Sequence, residues 1–241
     1  MTRIAIIAAL PGELKPLVRG WQHERRSEVD LWHTQRGDAE WIAACAGMGR
    51  QAATQAFAEV EKRGQVDRVI SVGWAGALRE EVAVGKAYRA AGAIDLRTGE
   101  RFAVSGAVPQ DPWLVTSANV VGAADKRRLA ADYNAGLVDM EAAAIARLAA
   151  MRGITFGCFK GVSDGVAENL PDFNRFISPQ GQLRLSRLLF FVLPRPWYWP
   201  ALIRMGENSS KASQSLAGLL LENLDHPGDK FNPNGDSNLS R

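Results

Sequence analysis

Short apolar runs that end at glycine or proline alternate along the chain with alanine-rich stretches. The clearest apolar runs predict buried strands at 3–10, 41–46, 67–72 and 154–160. Weaker strand-like segments lie at 86–94, 101–107 and 112–117. Helices are predicted near 13–18, 51–63 and 139–151. Strands that alternate with helices in this way predict a three-layer α/β/α domain around a mixed, mostly parallel sheet.

The pattern changes after about residue 180. Residues 182–193 are strongly apolar, three aromatic residues follow at 197–199, and 201–224 is predicted to be helical. Between 174 and 211 there are six Lys or Arg and one acid, a local charge of +5. We therefore expect an α/β domain at 1–180, an apolar and basic helical appendage at 181–225 and a disordered tail at 226–241.

The appendage has two interpretations. Its apolar run is too short to span a bilayer. Exposed apolar and aromatic side chains between arginines suit a membrane surface or a lipid-lined opening, which predicts peripheral membrane contact through 183–204. The alternative is a segment that packs on the core or forms a subunit interface.

Composition excludes several classes of protein. A net charge of +3 in 241 residues is too small to predict nucleic-acid binding. Cys45 and Cys158 lie in apolar segments, so we expect two buried thiols rather than a disulfide framework. The three histidines lack metal-ligand spacing, and we expect neither a metal nor a cofactor. The N-terminus runs directly into a strand without an export signal, which favours the cytoplasm.

Glycine turns follow two of the predicted strands. Gly47-x-Gly49 and Gly73-x-x-Gly76 would allow a ligand to approach the backbone at the carboxyl edge of the sheet, where Gly76 is a candidate binding residue. Each turn alone fits a purely structural role equally well. Glu13, placed after the first strand, makes the group more indicative of a site.

Acidic residues occupy two further positions where a predicted element begins or ends. Glu141 follows Met140 at the predicted start of the helix 139–151, where the helix dipole favours an ionised carboxylate that accepts hydrogen bonds from sugar hydroxyls. Asp164 lies 23 residues later, behind Ser163, where partial burial would raise its pKa and suit it to protonate a leaving base. The alternatives are a first-turn Glu and a helix-capping Asp without chemistry.

Five segments in this order resemble the nucleoside phosphorylase and nucleosidase superfamily, most nearly the 5′-methylthioadenosine/S-adenosylhomocysteine nucleosidases: IIAALPGEL, AGMGRQAA, ISVGWAGAL, VDMEAAAIA and KGVSDGVAE. The resemblance covers roughly residues 3–175. It implies that Asp164, oriented by Ser163, protonates N7 of adenine, and that Glu141 binds the ribose 2′- and 3′-hydroxyls. It further implies that Met140 lies beneath the sugar and that Glu13 positions or deprotonates the attacking water. Val120 and Val121 correspond to backbone contacts with the base.

The chain departs from that family at three places. Trp74 stands where a small hydroxyl residue is usual, which would reshape the nucleophile pocket. Ser71 stands where related phosphorylases carry a phosphate-binding Arg, which favours water as the nucleophile and leaves Arg50 as the candidate for binding an anion. The segment from 85 to 115 looks short, which would open the 5′ side of the pocket.

Two later segments, SGAVPQDPWLVTSANVV and RLSRLLFFVLPRPWYWPALIRMGENSSKASQSLA, resemble the hopanoid-associated branch of the superfamily. That branch is linked to the removal of adenine from adenosylhopane. The resemblance implies a lipid-linked adenine nucleoside as substrate, a homo-oligomer, and a cytoplasmic protein with peripheral contact at the inner membrane. The alternatives are methylthioadenosine or adenosylhomocysteine hydrolysis, phosphorolysis, and nucleoside binding without catalysis.

Overall fold

The computed structural model describes residues 2–168, 173–178 and 184–224. Its strands are β1 Thr2–Ala8, β2 Gln22–Arg26, β3 Val29–Arg36, β4 Ala39–Cys45, β5 Arg68–Ala77, β6 Ala87–Arg89, β7 Gly92–Asp95, β8 Arg101–Ala103, β9 Trp113–Thr116, β10 Leu137–Asp139 and β11 Thr155–Asp164. Its α-helices are α1 Pro11–Leu14, α2 Arg50–Glu61, α3 Ala123–Tyr133, α4 Ala142–Arg152, α5 Leu185–Val192 and α6 Trp199–Leu224. Short 3₁₀ turns lie at Phe173–Phe176 and Pro196–Tyr198.

All the strands belong to one mixed sheet, as the alternating pattern predicts. Its main path runs β2-β3-β4-β1-β5-β10-β9-β7-β8, and β11 pairs with the other edge of β5 and with β6. The pairs β4–β1, β1–β5, β5–β11, β10–β9 and β9–β7 are parallel, whereas the outer pairs and β5–β10 are antiparallel. The predicted parallel centre is therefore confirmed.

The end of β5 is where the sheet changes direction. β1 pairs with the first part of β5, up to Ser71, and β10 pairs with Gly76 and Ala77 beyond the end of β1. β11 follows β5 along its other edge as far as Gly76. The carboxyl ends of β1, β10 and β11 consequently converge on the last residues of β5, which is where an α/β sheet binds ligands.

Helices cover both faces of the sheet and complete the three layers. On one face, α2 and α4 bury Phe57, Val60 and Ile145 in a large apolar cluster. On the other face, α1 and α6 contribute Leu14, Leu216 and Leu220 to a second cluster. Cys45 and Cys158 are buried free thiols, as expected, and burial raises the pKa of each to about 12.

Several elements differ from the sequence-based expectations. The polar hairpin β2–β3 was not predicted, because its first strand is largely exposed and carries no apolar alternation. α3 was not predicted either, since only Lys126 and Leu129 of its eleven residues are buried. The helix predicted to start at 139 begins at Ala142, because residues 137–139 form a strand beside β9.

The C-terminal part of the chain is helical, and its second half belongs to the core. Ala212, Leu216 and Leu220 of α6 are buried, and a Cβ on Gly161 of β11 would lie 2.7 Å from the Ala212 carbonyl oxygen. The division at about residue 181 stays a prediction, as does the tail at 226–241, which lies outside the described residues. No helix in the described ranges is long and apolar enough to cross a membrane.

Candidate functional site

A cavity of about 220 Å³ opens where β1, β5, β10 and β11 end. Eight of the nine candidate residues line it: Glu13, Gly76, Val120, Val121, Met140, Glu141, Ser163 and Asp164. They come from separate parts of the chain, so their meeting in one cavity is a property of the fold. Arg50 is not among the residues that line it.

Glu13 is held rigidly beneath the cavity by backbone donors. The backbone N–H groups of Ala9 and Leu10 each donate to Oε2 at 2.8 Å, and that of Trp74 donates to Oε1 at 2.8 Å. Burial raises the pKa of Glu13, and these three hydrogen bonds oppose the rise only in part. A fixed carboxyl group with an elevated pKa suits a general base for water.

Glycine at position 73 makes this placement of Glu13 possible. Its φ of +135° is a conformation that side chains disfavour, and a Cβ there would lie 2.8 Å from Oε1 of Glu13. The turn expected at 73–76 is not formed, because β5 continues through both glycines to Ala77, but the absence of a side chain at Gly73 leaves the Glu13 carboxyl group room beside this strand.

Glu141 occupies the position just before α4 rather than the first turn of the helix. Oε1 accepts a hydrogen bond of 2.6 Å from the backbone N–H of Gly49. Burial, together with the nearby charge of Asp139, raises the pKa of Glu141 to about 8. This raised pKa contradicts the expectation of a carboxylate kept ionised by the helix dipole, because burial disfavours the ionised form.

The sequence pattern does not predict a buried ion pair that acts on Glu141. Asp139 pairs with Lys160 of β11 at 2.9 Å, and both side chains are almost fully buried. Burial lowers the pKa of Lys160, but the charge of Asp139 more than compensates and raises it. A lysine inside the apolar run of β11 was a visible signal, since a fully buried lysine needs an anionic partner.

Asp164 is the last residue of β11, and its carboxyl group has two partners. Ser163 Oγ donates to Oδ1 at 2.7 Å, as expected of a residue that orients the acid. Lys126 of α3 forms an ion pair with Oδ2 and donates to the carbonyl oxygen of Gly165 at 2.6 Å. The sequence pattern predicts an acid perturbed by partial burial and gives no sign of this cation.

The two valines line the cavity, but the backbone of Val120 is already occupied. Its N–H donates to Oδ1 of Asn174 at 2.8 Å, and its carbonyl oxygen accepts from Nδ2 of the same residue at 3.1 Å. The N–H of Val120 is therefore engaged within the protein, whereas its carbonyl oxygen keeps a second lone pair. The expected backbone contact between Val120 and a base stays a prediction.

The position of Arg50 does not fit the anion-binding role expected for it. Its guanidinium pairs with Asp95 at 2.7 Å, and Arg147 pairs with the same carboxylate at 2.9 Å. Although burial opposes ionisation, these arginines hold the pKa of Asp95 below its ordinary value. An anion would have to compete with Asp95 for Arg50.

Trp74 lines the cavity and joins it to the C-terminal helix. The indole Nε1 donates to Ser213 Oγ at 2.9 Å and to the carbonyl oxygen of Ser209 at 3.1 Å.

Among the described residues, no cluster of His, Cys, Asp and Glu has the arrangement of a metal site. The cavity is lined by four carboxyl groups, those of Glu13, Asp139, Glu141 and Asp164, and by Lys126, Asn119, Ser163 and Ser209 among other residues.

Comparisons with known proteins agree with this architecture. The fold is similar to a 5′-methylthioadenosine/S-adenosylhomocysteine nucleosidase of Helicobacter pylori, with a TM-score of 0.72 at 15% identity over 93% of this chain and 98% of that one. A futalosine hydrolase of the same organism gives 0.71 at 15% identity, covering 93% and 98%. The nucleosidase of Neisseria meningitidis gives 0.69 at 17%, covering 93% and 99%.

A search of curated protein sequences found no match. The sequence matches the family model described as Phosphorylase superfamily over residues 3–121 and 112–192, which is well over half of the chain. The chain therefore belongs to the phosphorylase superfamily.

Proposed function

We propose that this protein hydrolyses the N-glycosidic bond of a 5′-substituted adenosine and releases adenine. The observation that carries the proposal is the meeting of three carboxyl groups, those of Glu13, Glu141 and Asp164, around one cavity. Cleavage passes through a ribose with oxocarbenium character, and adenine leaves far more easily as a neutral base than as an anion. The site therefore needs an acid for the base, a ligand for the sugar and a base for water.

Each carboxyl group fits one of these roles. Asp164, held by Ser163, delivers a proton to N7 of adenine as the bond breaks. Glu141 accepts hydrogen bonds from the 2′- and 3′-hydroxyls, with Met140 against the sugar. Glu13, fixed by three backbone donors, takes the proton of the attacking water.

Water is the better nucleophile for this cavity than phosphate. A phosphate dianion needs cationic or multiple N–H donors. Of the described residues that line the cavity, none is an arginine, and its lysine, Lys126, is paired with Asp164. Arg50 is paired with Asp95.

Apolar side chains at one side of the cavity support a lipid as the 5′ substituent. Val120, Phe173 and Met205 line the cavity and also belong to an apolar cluster that Leu188 and Val192 of α5 complete. Beyond that cluster, large apolar side chains are exposed: Leu189, Phe190, Leu193, Trp197, Trp199 and Ile203. We call these six residues the apolar patch.

The surroundings of the apolar patch favour an anionic membrane as the lipid source. Arg184, Arg187 and Arg204 are exposed on the same segment, and Glu207 is the one acid among residues 184–211. Exposed apolar side chains between arginines bind the interface of an anionic bilayer. In this proposal the protein takes a lipid-linked nucleoside from the membrane surface. The homo-oligomer implied by the resemblance stays a prediction.

Base release measures the proposal directly. The purified protein is given methylthioadenosine or an adenosine with a long 5′ hydrocarbon, with and without phosphate, and free adenine is followed by chromatography. We expect phosphate-independent release and a higher kcat/KM for the hydrocarbon substrate. Asp164→Asn should lower release by about 10²- to 10⁴-fold, whereas Asp132→Asn, on the exposed side of α3, should not.

Two other outcomes would redirect the assignment. Preference for methylthioadenosine would place the chain with the nucleosidases named for that substrate. The second candidate, a nucleoside-binding protein without turnover, is favoured by Trp74, a bulky residue that lines the cavity and whose backbone N–H donates to Glu13. Binding of adenosine derivatives without adenine release would support it and contradict hydrolysis.

A further inference from the structure

Lys126 is a buried cation that the roles proposed above leave unexplained. It lies on α3, a helix that is otherwise mostly exposed, and only 2% of the residue is accessible to solvent. Burial of an ammonium group is unfavourable, and attraction to an anionic partner offsets this cost. Its described partners are the Asp164 carboxylate and the Gly165 carbonyl oxygen, both at the end of β11.

The ion pair between Lys126 and Asp164 faces the candidate site. Lys126 and Asp164 both line the cavity. A Cβ on Gly76 would lie 3.0 Å from Oδ2 of Asp164 and 3.2 Å from Nζ of Lys126. Any larger residue at position 76 would therefore crowd this ion pair. An ion pair that only fastened α3 to the sheet would not need to face the site.

We propose that Lys126 is a positioning residue that also holds the proton which Asp164 delivers to the leaving base. This inference rests on the proposed function. Asp164 must be protonated when the base departs, yet a carboxyl group paired with an ammonium favours its ionised form. Storage of the proton on Nζ, in contact with Oδ2, reconciles the ion pair with the acid role.

The proton transfers balance over one turnover. As the C1′–N9 bond breaks, its electron pair passes to the base, N7 takes a proton from Asp164, and Asp164 takes one from Nζ. Water adds to C1′ and gives its proton to Glu13. After the products leave, the neutral Lys126 amine regains a proton through solvent from Glu13, and the net reaction is hydrolysis.

The test compares two leaving groups. One substrate is the adenine nucleoside, which needs a proton on the base, and the other is the corresponding 4-nitrophenyl riboside, whose phenolate leaves without one. Lys126→Met should lower kcat for the nucleoside by about 100-fold and change kcat for the nitrophenyl riboside little.

Lys126→Arg separates proton supply from charge. Arginine keeps the cation and the pairing with Asp164 but does not give up its proton. We expect kcat for the nucleoside to stay low in this variant, with a normal rate on the nitrophenyl riboside. Arg127→Met, an exposed neighbour on the same helix, serves as the control for lost charge and should behave as wild type.

The outcomes are distinguishable. Equal losses on both substrates, or full rescue of the nucleoside rate by Lys126→Arg, would assign Lys126 a structural or purely electrostatic part and overturn proton supply. Near-normal nucleoside turnover in Lys126→Met would overturn the proposal outright. If the wild-type protein cleaves no nucleoside at all, the proposed function itself fails and this inference fails with it.

Discussion

Trp74 and Ser213 are joined by a hydrogen bond of 2.9 Å from the indole Nε1 to the serine Oγ, and this bond links the cavity wall to the middle of α6. Ser213 Oγ donates in turn to the carbonyl oxygen of Gly12 at 3.2 Å. Gly12 immediately precedes Glu13 in α1. One buried hydroxyl therefore connects the C-terminal helix, the end of β5 and the turn that carries the proposed general base.

Removal of that hydroxyl should affect both stability and activity. Ser213→Ala leaves the Gly12 carbonyl oxygen without this donor, so we expect a loss of about 1 kcal/mol and a fall in Tm of about 2–4 °C. The nucleosidase kcat should also fall several-fold, because Trp74 and Glu13 lose a common support.

Ser215→Ala is the matched control for the serine variant. Ser215 also lies on α6, where its hydroxyl accepts a hydrogen bond of 3.0 Å from the backbone N–H of Ala87, outside the residues that line the cavity. Calorimetry should show a similar fall in Tm for both variants. A similar fall in kcat for Ser215→Ala would contradict a specific link between Ser213 and the site.

The parts of the site that the sequence predicts are those set by local pattern. Apolar runs place the strands, and residues at their carboxyl ends, such as Glu13 and Asp164, must then meet at one edge of the sheet. Glycine at 73 marks a positive-φ position that a side chain would strain, although this position lies within β5 rather than in the expected turn. These signals need no knowledge of distant contacts.

The missing parts depend on contacts between distant segments. Lys126 lies on a polar helix whose apolar pattern is too weak to predict, so its approach to Asp164 is visible only in the fold. The raised pKa of Glu141 depends on burial together with Asp139, a combination that sequence spacing does not reveal. The apolar composition of 182–193 likewise did not show that the helix after it completes the core.

The pKa of Glu141 predicts how stability depends on pH. The folded chain holds this proton up to about pH 8, whereas the unfolded chain releases it near 4.5. Between these values unfolding releases a proton, so this group lowers the free energy of unfolding by about 1.4 kcal/mol for each unit that the pH rises.

Glu141→Gln should abolish that contribution, because the amide does not titrate. We expect the Tm of the variant to match wild type near pH 4.5 and to exceed it by a margin that grows up to pH 8. Calorimetry at a series of pH values measures this margin, and Glu80→Gln, at an exposed position, is the control that should show none. A margin independent of pH would contradict the raised pKa.

Substrate affinity should follow the same titration. The diol hydroxyls donate to an ionised carboxylate, whereas unliganded Glu141 carries a proton below about pH 8. Binding must therefore release that proton, and the Kd for a non-hydrolysable nucleoside analogue should fall by up to about tenfold per pH unit between 6 and 8. Calorimetric titration in buffers of different ionisation enthalpy counts the released proton. The 2′,3′-dideoxy analogue should lack this dependence, and if it shows the same slope, Glu141 does not bind the diol.

Gly73→Ala should displace Glu13. The added Cβ would lie 2.8 Å from Oε1 and would require a backbone conformation that alanine disfavours. Gly99→Ala, in a turn at φ +75° with no atom within 4 Å of the added Cβ, imposes the backbone strain alone. Both variants should lose stability, but only Gly73→Ala should lose most of its kcat for hydrolysis. Equal kcat values in the two variants would contradict the role of Glu13 in activating water.

The apolar patch predicts binding to anionic vesicles. Phe190 and Trp197 are 79% and 68% exposed, and their insertion into a bilayer interface adds apolar burial to the attraction between the arginines and anionic lipid. The protein should co-sediment with phosphatidylcholine vesicles that contain phosphatidylglycerol, and less so as salt increases.

The double variant Phe190→Ser/Trp197→Ser should weaken vesicle binding and turnover of the long-chain nucleoside together, while turnover of methylthioadenosine stays as in wild type. Met151→Ser removes an equally exposed apolar side chain, 74% accessible on α4, and should leave vesicle binding intact. Met151 lies outside the apolar patch. If Met151→Ser weakened vesicle binding as much as the double variant does, the binding would depend on surface hydrophobicity in general and not on the apolar patch. Unchanged vesicle binding in the double variant would instead assign the apolar patch to contact with protein rather than with membrane.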